Sequence, residues 1–205
     1  MNILHLSASP RGDQGDSHQL SSCIVEQLLA RHPGAGVTRR ALAGGALAHV
    51  DGDYARVLAS ASDETGGHGS LGCSERLIEE LACADVLVIG TPMYNLTVPS
   101  TLKSWIDHVV RIHRTMRRTP GGKVGTLPDR PVYIAIASGS WRTGERARQP
   151  DFLEPYLRAV LPMIGLKDIT VFTVEGLGLG PEQAAASRTQ ARAAVERFFA
   201  VQQAA

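Results

Sequence analysis

Two short apolar runs restrict this chain to one class of fold. Residues 85–90 (DVLVIG) and 130–137 (RPVYIAIA) lack the polar–apolar alternation of a strand that has one face in water. Strands of this kind are buried on both faces, as in parallel sheets that helices cover on both sides. The two runs therefore predict a sheet between two layers of helices.

Strands and helices alternate along the rest of the chain. Further strands are predicted at Asn2–Ser7, at Gly36–Ala41, which is polar and short enough for a sheet edge, and at 168–174. Helices are predicted at 16–31, around 53–61, and at 74–82, 98–114, 151–164 and 181–200. This order predicts an α/β fold with a doubly wound, flavodoxin-like, five-stranded parallel sheet and helices on both faces.

Length and composition favour one domain over residues 1–205. The chain has 205 residues, of which 43% are hydrophobic and 20% charged, and that is enough for a full core. Residues 42–72 are rich in Ala, Gly and Ser. We expect them to form an excursion over the surface, with a loop at 64–69, and not a second domain.

Charge and cysteine usage exclude several classes of function. A net charge of +1 gives no global field that would attract nucleic acid or an anionic membrane. No apolar run approaches the length of a membrane span, and the N-terminus lacks the features of a signal peptide. The three cysteines, Cys23, Cys73 and Cys83, lie far apart, which disfavours a disulfide framework or a zinc site. We therefore expect a cytoplasmic protein without a metal ion.

Ligands of doubly wound sheets bind beyond the carboxyl ends of the strands. Three loops follow strands at that edge, at residues 8–17, 91–97 and 138–150. We expect these loops to converge on one site.

The first loop contains the sequence SASPRGDQGDS and leads into a helix. Unpaired N–H groups at a helix N-terminus suit a phosphate, and Ser9, Ser17 and Arg11 add donors. The Walker and GxGxxG patterns are both missing. A purely structural turn is the alternative, with Asp16 and Gln19 as a capping box and Ser17 as a cap residue.

The second loop combines apolar and amide side chains. Pro92 has no N–H and ends the strand ladder. Met93 and Leu96 can pack against an apolar ring, Tyr94 offers a flat face, and Asn95 both donates and accepts hydrogen bonds. These properties suit a planar heteroaromatic ligand such as a flavin. An ordinary turn with a half-buried tyrosine is the alternative.

Three stretches, in the same order over nearly the whole chain, resemble the FMN-dependent NADH-azoreductase family, which also reduces quinones. They are SASPRGDQGDS, PMYNLTVPSTLKSWIDHV and FLEPYLRAVLPMIGLKDITVFTVEGLGLGPE. The resemblance implies a flavodoxin-like homodimer. It also implies one tightly bound FMN per subunit, at the carboxyl edge of the sheet near the subunit interface.

The resemblance assigns a part of FMN to each loop. It implies that Ser9 and Ser17, with the backbone of Gly15 and Asp16, bind the phosphate. It also implies that the ribityl chain and isoalloxazine are lined by Met93, Tyr94, Asn95 and Leu96. The pyrimidine edge of the ring would be bound by Ser138, Gly139, Ser140 and Trp141. Backbone N–H groups of residues 95–96 and 138–140 are expected to stabilise negative charge on the flavin. No side chain is assigned a catalytic proton transfer.

The chain departs from the family pattern at two places. Ser138–Trp141 (SGSW) replaces a glycine-rich run, and a loop with Arg142, Arg146 and Arg148 follows. That loop is either solvated or contacts nicotinamide-nucleotide phosphates or an acidic substrate. Met116, Arg118 and Pro120 replace an aromatic segment that roofs the pocket in the family, which puts azo-dye reduction in more doubt than FMN binding.

The resemblance therefore predicts an FMN-dependent oxidoreductase that uses NADH or NADPH to reduce quinones and aromatic azo compounds. We expect a ping-pong cycle, in which the nucleotide leaves before the acceptor enters. Two alternatives are a non-catalytic flavodoxin-like electron carrier and a degenerate flavin-binding regulatory protein. Such carriers tend to be acidic, and the net charge of +1 disfavours the first alternative.

Overall fold

The computed structural model describes residues 1–45, 47–59 and 69–202. Its strands are β1 (Asn2–Ser7), β2 (Gly36–Ala41), β3 (Val86–Pro92), β4 (Met116–Thr119), β5 (Gly122–Gly125), β6 (Val132–Ala137) and β7 (Ile169–Val174). Five of them form one parallel sheet in the order β2-β1-β3-β6-β7. The predicted flavodoxin-like sheet is confirmed.

Helices cover both faces of this sheet. They are α1 (Asp16–Arg31), α2 (Gly52–Ala59), α3 (Gly69–Ala82), α4 (Ser100–Val109), α5 (Leu153–Val160) and α6 (Pro181–Gln202). Apolar side chains of α1 and α6 pack on one face, and those of α3, α4 and α5 on the other. Within the described ranges, no helix has both the length and the apolar character needed to cross a bilayer.

Strand β6 shows why the two apolar runs lack polar alternation. Ile134 and Ile136 belong to the core on the α3–α5 side, whereas Tyr133 and Ala135 belong to the core beneath α1 and α6. Every residue of β6 is buried. Since both faces of the strand are covered, a polar residue at any of these positions would lose water without gaining a partner.

Several helix boundaries differ from the prediction for local reasons. Helix α4 begins at Ser100 and not at 98, because a residue that precedes a proline, here Val98, is disfavoured in helical conformation. It ends at Val109 and not at 114. Just beyond this end, the Arg111 N–H donates to Thr115 Oγ1 at 3.0 Å. Helix α5 ends at Val160 and continues as the 3-10 turn Leu161–Ile164.

The interval at 42–72 is only partly described. Residues 60–61 of the predicted helix and 64–68 of the predicted loop lie outside the described residues, and Gly69 already begins α3. The described part is attached to the core by Leu42 and Tyr54, which are 1% and 2% exposed. The Tyr54 hydroxyl donates to the Asp107 carbonyl in α4 at 2.7 Å.

The sequence analysis missed a hairpin after α4. Strands β4 and β5 pair antiparallel around a Thr-Pro-Gly-Gly turn, in which Gly122 has a φ of 115° that suits glycine. At the end of β5, a Cβ added to Gly125 would lie 2.1 Å from the Gly165 nitrogen. The hairpin therefore docks on the turn after α5 through a glycine–glycine backbone contact.

We expect Gly125→Ala to destabilise the protein by about 1–3 kcal/mol, because the added methyl group must displace main chain. Gly121→Ala is the matched control in the same hairpin, since its Cβ would meet only Thr119 Oγ1, at 3.9 Å. Urea unfolding gives both values. Equal free energies of unfolding for the two variants would contradict the docking contact.

The buried His5 on β1 makes stability depend on pH. Its Nε2 lies 2.7 Å from Ser21 Oγ, and its ring stacks on His18 with ring centres 5.4 Å apart. Burial, and then the nearby His18 and Arg39, lower the pKa of His5 from 6.5 to about 4. Because the folded-state pKa is the lower one, this contribution is complete above the unfolded pKa of 6.5 and is lost as the pH falls towards 4.

We expect His5→Gln to remove about 2–3 kcal/mol of the stability difference between neutral pH and about pH 4.5, at 1.36 kcal/mol per pKa unit. Urea titrations at the two pH values measure it. His49→Gln, at an exposed histidine, is the control and should keep the wild-type difference. The assignment fails if His5→Gln retains the full pH dependence.

Candidate active site

The first loop brings a helix N-terminus to the carboxyl end of β1. A 3-10 turn, Gly12–Gln14, leads to Gly15, the N-cap of α1. The first bond of α1 runs from the Gln19 N–H to the Gly15 carbonyl at 2.9 Å. The N–H groups of residues 16–18 precede that bond and have no partner within the helix, so they leave partial positive charge at this end.

Two buried serines flank this N-terminus. Ser9 and Ser17 are 5% and 1% exposed. Ser9 Oγ accepts from the Arg11 N–H at 3.2 Å, whereas Ser17 Oγ has no hydrogen-bond partner among the described residues. A Cβ on Gly15 would lie 2.1 Å from Ser9 Oγ, so only glycine permits this close approach. A buried hydroxyl without a partner is costly, and an anionic ligand at this place would satisfy it.

The capping-box prediction was wrong. Gly15 is the N-cap, and no side chain caps α1; the Gln19 side chain instead donates to the Asp13 carbonyl at 3.5 Å. The carboxylate of Asp16 accepts from Arg188 Nε in α6 at 2.6 Å and has Arg11 at 3.7 Å. Both cations offset its negative charge. Asp13 points into solvent with its side chain 91% exposed, and it pairs with His18.

The second loop is a strained two-residue turn. Tyr94 and Thr97 exchange two backbone hydrogen bonds, both 3.1 Å long. The central residues, Asn95 and Leu96, have φ values of 48° and 69°, as a type I′ turn requires. Asparagine tolerates this conformation, whereas leucine at such a φ is an outlier of the kind that clusters at functional sites. The turn leaves Tyr94 43% exposed beside the sheet edge.

The third loop is hydrogen-bonded to a fourth loop, residues 176–180, which the sequence analysis did not assign to the site. After β7, the N–H groups of Leu177 and Gly178 donate to the carbonyls of Ser138 and Gly139 at 3.2 and 2.8 Å. Its sequence signal is the glycine-rich run GLGLG. The Ser138 N–H donates to the Val174 carbonyl at 3.0 Å, so the expectation that this N–H serves a flavin was wrong.

The loop after Trp141 is not simply solvated, because Arg142 is buried. Its side chain is 1% exposed and pairs with Glu154 at 3.0 Å, with Asp151, and with Glu175 at 3.7 Å. The Glu175 carboxylate also accepts from the N–H groups of Arg142 and Thr143 at 2.7 and 3.1 Å. These contacts connect the third loop to α5 and to the end of β7.

The other two arginines of this loop lie at the surface. The Arg146 guanidinium lies over the Trp141 ring, 3.6 Å from its centre. Arg148 donates to the carbonyls of Glu145 and Ala147 at 2.7 and 3.0 Å. The two alternatives for this loop were a solvated loop and a contact with an anionic ligand. Neither applies to Arg142, which is internal, whereas Arg146 is exposed at the rim.

The loops meet around two cavities that share Met93, Ser138 and Gly139. The smaller, about 270 Å³, is also lined by Ser9, Arg11, Gly15, Asp16, Ser17, Pro92, Tyr94, Ala137, Leu177 and Gly178. The larger, about 500 Å³, is also lined by Asn95, Leu96, Ser140, Trp141, Arg142, Gln149 and Pro150. Every residue assigned to the site lines one of the two.

The segment that corresponds to the family's roof lines neither cavity within the described chain. Met116, Arg118 and Pro120 belong to the β4–β5 hairpin or its turn, and none of them lines either cavity. Met116 is 7% exposed. The hairpin packs against the turn after α5.

Solved structures share this architecture. Azoreductase from Bacillus anthracis superposes with a TM-score of 0.83 at 21% identity and covers 97% of this chain and 98% of that one. An FMN-dependent NADH-azoreductase of the same species, solved in complex with FMN, gives 0.79 at 18% identity over 97% and 99% of the two chains. At these identities the likeness shows the fold.

Sequence comparisons are more specific. A family model described as flavodoxin-like fold matches residues 1–199. FMN-dependent NADH:quinone oxidoreductase 4 of Pseudomonas fluorescens is 44% identical over 194 residues, which cover 95% of this chain and 93% of the relative. FMN-dependent NADH:quinone oxidoreductase 5 of Burkholderia lata is 40% identical over 199 residues, 97% and 96% of the two chains. The chain therefore belongs to the FMN-dependent NADH:quinone oxidoreductase family, within the flavodoxin-like fold.

Proposed function

We propose that this chain is a single FMN-binding domain, and that it is an FMN-dependent oxidoreductase that uses NADH to reduce quinones and aromatic azo compounds. One observation carries the proposal. The buried Ser17 hydroxyl has no partner among the described residues and lies where α1 presents its free N–H groups. FMN carries a phosphate that would satisfy both.

The residues of the smaller cavity fit that phosphate. Ser9 and Ser17 supply hydroxyl donors, and the backbone at Gly15 and Asp16 supplies N–H groups. Arg188 and Arg11 hold the Asp16 carboxylate, which reduces its repulsion of an anion. The cradle needs glycine at position 15, because a side chain there would collide with Ser9.

The residues of the larger cavity fit a planar ring system. Met93 and Leu96 offer apolar surface, and Asn95 of the same turn lines the cavity beside them. Gly139 and Ser140, in the third loop, also line this cavity, and their backbone could hydrogen-bond the polar edge of a pyrimidine. The Arg142 network holds that loop in place, and Trp141 closes the wall beyond it.

FMN, when bound, accepts a hydride from NADH and passes two electrons to the acceptor. The chain binds and orients the ligands, and no side chain of the site is needed for proton transfer. A single flavin site would serve both the nucleotide and the quinone, which favours a ping-pong cycle in which the two alternate. An azo compound then requires two such cycles to reach its amines.

The rim of the site favours a homodimer with FMN near the interface. Tyr94 and Phe152 are 43% and 57% exposed, and the Phe152 N–H donates to the Leu96 carbonyl at 3.0 Å. Large apolar side chains at a cavity mouth are typical of surfaces that a partner covers. Cys23, Cys73 and Cys83 are free, in keeping with a reducing cytoplasm.

The purified protein should retain stoichiometric FMN, and anaerobic NADH should bleach its visible flavin absorbance through two-electron reduction. Added benzoquinone should restore the spectrum, and NADPH, tested in parallel, gives the nucleotide preference. Absence of retained FMN at micromolar protein would refute the site. Retention without bleaching by either nucleotide would identify an electron carrier instead.

Ser17→Ala should weaken FMN binding about tenfold or more, because a hydrogen bond to a charged group contributes about 1.5–3 kcal/mol. Riboflavin lacks the phosphate, and its affinity should not change. The apoprotein should be as stable as wild type, since the substitution removes an unpaired buried hydroxyl. Flavin fluorescence titrations and urea unfolding provide these quantities.

The matched control is Ser21→Ala, one turn further along α1. The Ser21 hydroxyl donates to the His18 carbonyl at 2.9 Å and lies 2.7 Å from His5 Nε2. Its loss should lower stability and leave the ratio of FMN to riboflavin affinity unchanged. A similar ratio for both variants would argue against a phosphate at Ser17.

A further inference from the structure

Arg146 is exposed and stacks on Trp141, which lines the larger cavity. Its guanidinium lies 3.6 Å from the centre of the Trp141 ring, within cation–π distance. In the described parts of the chain, no carboxylate lies within ion-pair distance of Arg146. A long side chain that is stacked in this way has already lost much of its freedom, which favours binding of a counter-ion.

The other arginines of the loop are engaged elsewhere. Arg142 is buried among Asp151, Glu154 and Glu175. Arg148 is exposed, but its guanidinium bonds carbonyls of its own loop. Of the three, Arg146 therefore combines exposure, a fixed position and contact with a residue of the cavity wall.

Trp141 places this charge beside the larger cavity. Trp141 lines the cavity together with residues of the second loop. Main chain at Gly176 supports the ring so closely that an added Cβ there would come within 3.1–3.3 Å of three ring atoms. Because the ring is held by main chain, the guanidinium stacked on it also has a defined position relative to the cavity.

We propose that Arg146, stacked on Trp141, forms a rim subsite for an anionic group carried by the ligand that approaches the flavin ring of the larger cavity. The group is a carboxylate, sulfonate or phosphate, each of which the guanidinium binds through paired N–H donors. It belongs either to the electron acceptor or to the diphosphate of the dinucleotide. The inference rests on the proposed oxidoreductase function.

Steady-state kinetics of Arg146→Gln and Arg148→Gln test the proposal. The two substitutions remove the same charge from the same loop, and only the first removes the stacked guanidinium. The acceptors are neutral menadione and anthraquinone-2-sulfonate, with NADH varied separately. We expect Arg146→Gln to raise KM up to about fivefold for the sulfonate or for NADH, the upper range of an exposed ion pair, and to leave kcat with menadione unchanged.

Direct binding supplies a readout independent of turnover. Anthraquinone-2-sulfonate should quench tryptophan emission of the FMN-loaded protein through Trp141, while Trp105, which is 0% exposed, contributes a constant background. The dissociation constant should rise with salt in the wild type and less so in Arg146→Gln, because salt screens exposed charges. Arg146→Lys, which keeps the charge, should give intermediate values.

The outcomes separate the two sources and the two proposals. A rise confined to the sulfonate assigns the subsite to the acceptor, and a rise confined to NADH assigns it to the dinucleotide diphosphate. Equal behaviour of Arg146→Gln and Arg148→Gln, with turnover of menadione intact, overturns the subsite and leaves the oxidoreductase function standing. Absence of menadione turnover in the wild type overturns the function itself.

Discussion

Burial of the parallel sheet on both faces is the constraint on which the rest of the structure depends. Strands β3 and β6 are buried at every position, so neither strand offers a solvent-exposed position for a polar side chain. Polar groups can gather only where the strands end, and parallel strands end side by side. The loops after β1, β3, β6 and β7 therefore meet at one edge, and their cavities share Met93, Ser138 and Gly139.

Two physical devices fix the loops at that edge. The second loop closes through paired backbone bonds between Tyr94 and Thr97, which hold Leu96 at a φ that costs about 1–3 kcal/mol. The third loop is fixed by Arg142 and its three carboxylates. A buried ion pair is weak evidence for stability, because desolvation offsets the attraction. Its effect here is positional, since Glu175 at the end of β7 also accepts two backbone N–H groups of the loop.

The site joins elements of opposite character. At the smaller cavity, α1 offers a helix N-terminus with an unpaired hydroxyl at Ser17, which favours negative charge. At the larger cavity, apolar surface from Met93 and Leu96 lies opposite backbone at Gly139, and Arg146 adds an exposed charge beyond Trp141. An end that favours anions, an apolar middle and a charged rim are what the proposed FMN, and the ligands that approach it, would require.

The sequence by itself determined the fold class and the loops that meet at the carboxyl edge of the sheet. Buried strands, here residues 2–7, 85–90 and 130–137, and the helices that follow them are local patterns. It also indicated the residues around Ser17 and Asn95 through a resemblance carried by short motifs. Only the tertiary structure decided that Asp16 pairs with Arg188 instead of capping α1, that Arg142 is buried, and that the β4–β5 hairpin docks through Gly125. These outcomes depend on partners distant in the chain, which periodicity and local propensity do not encode.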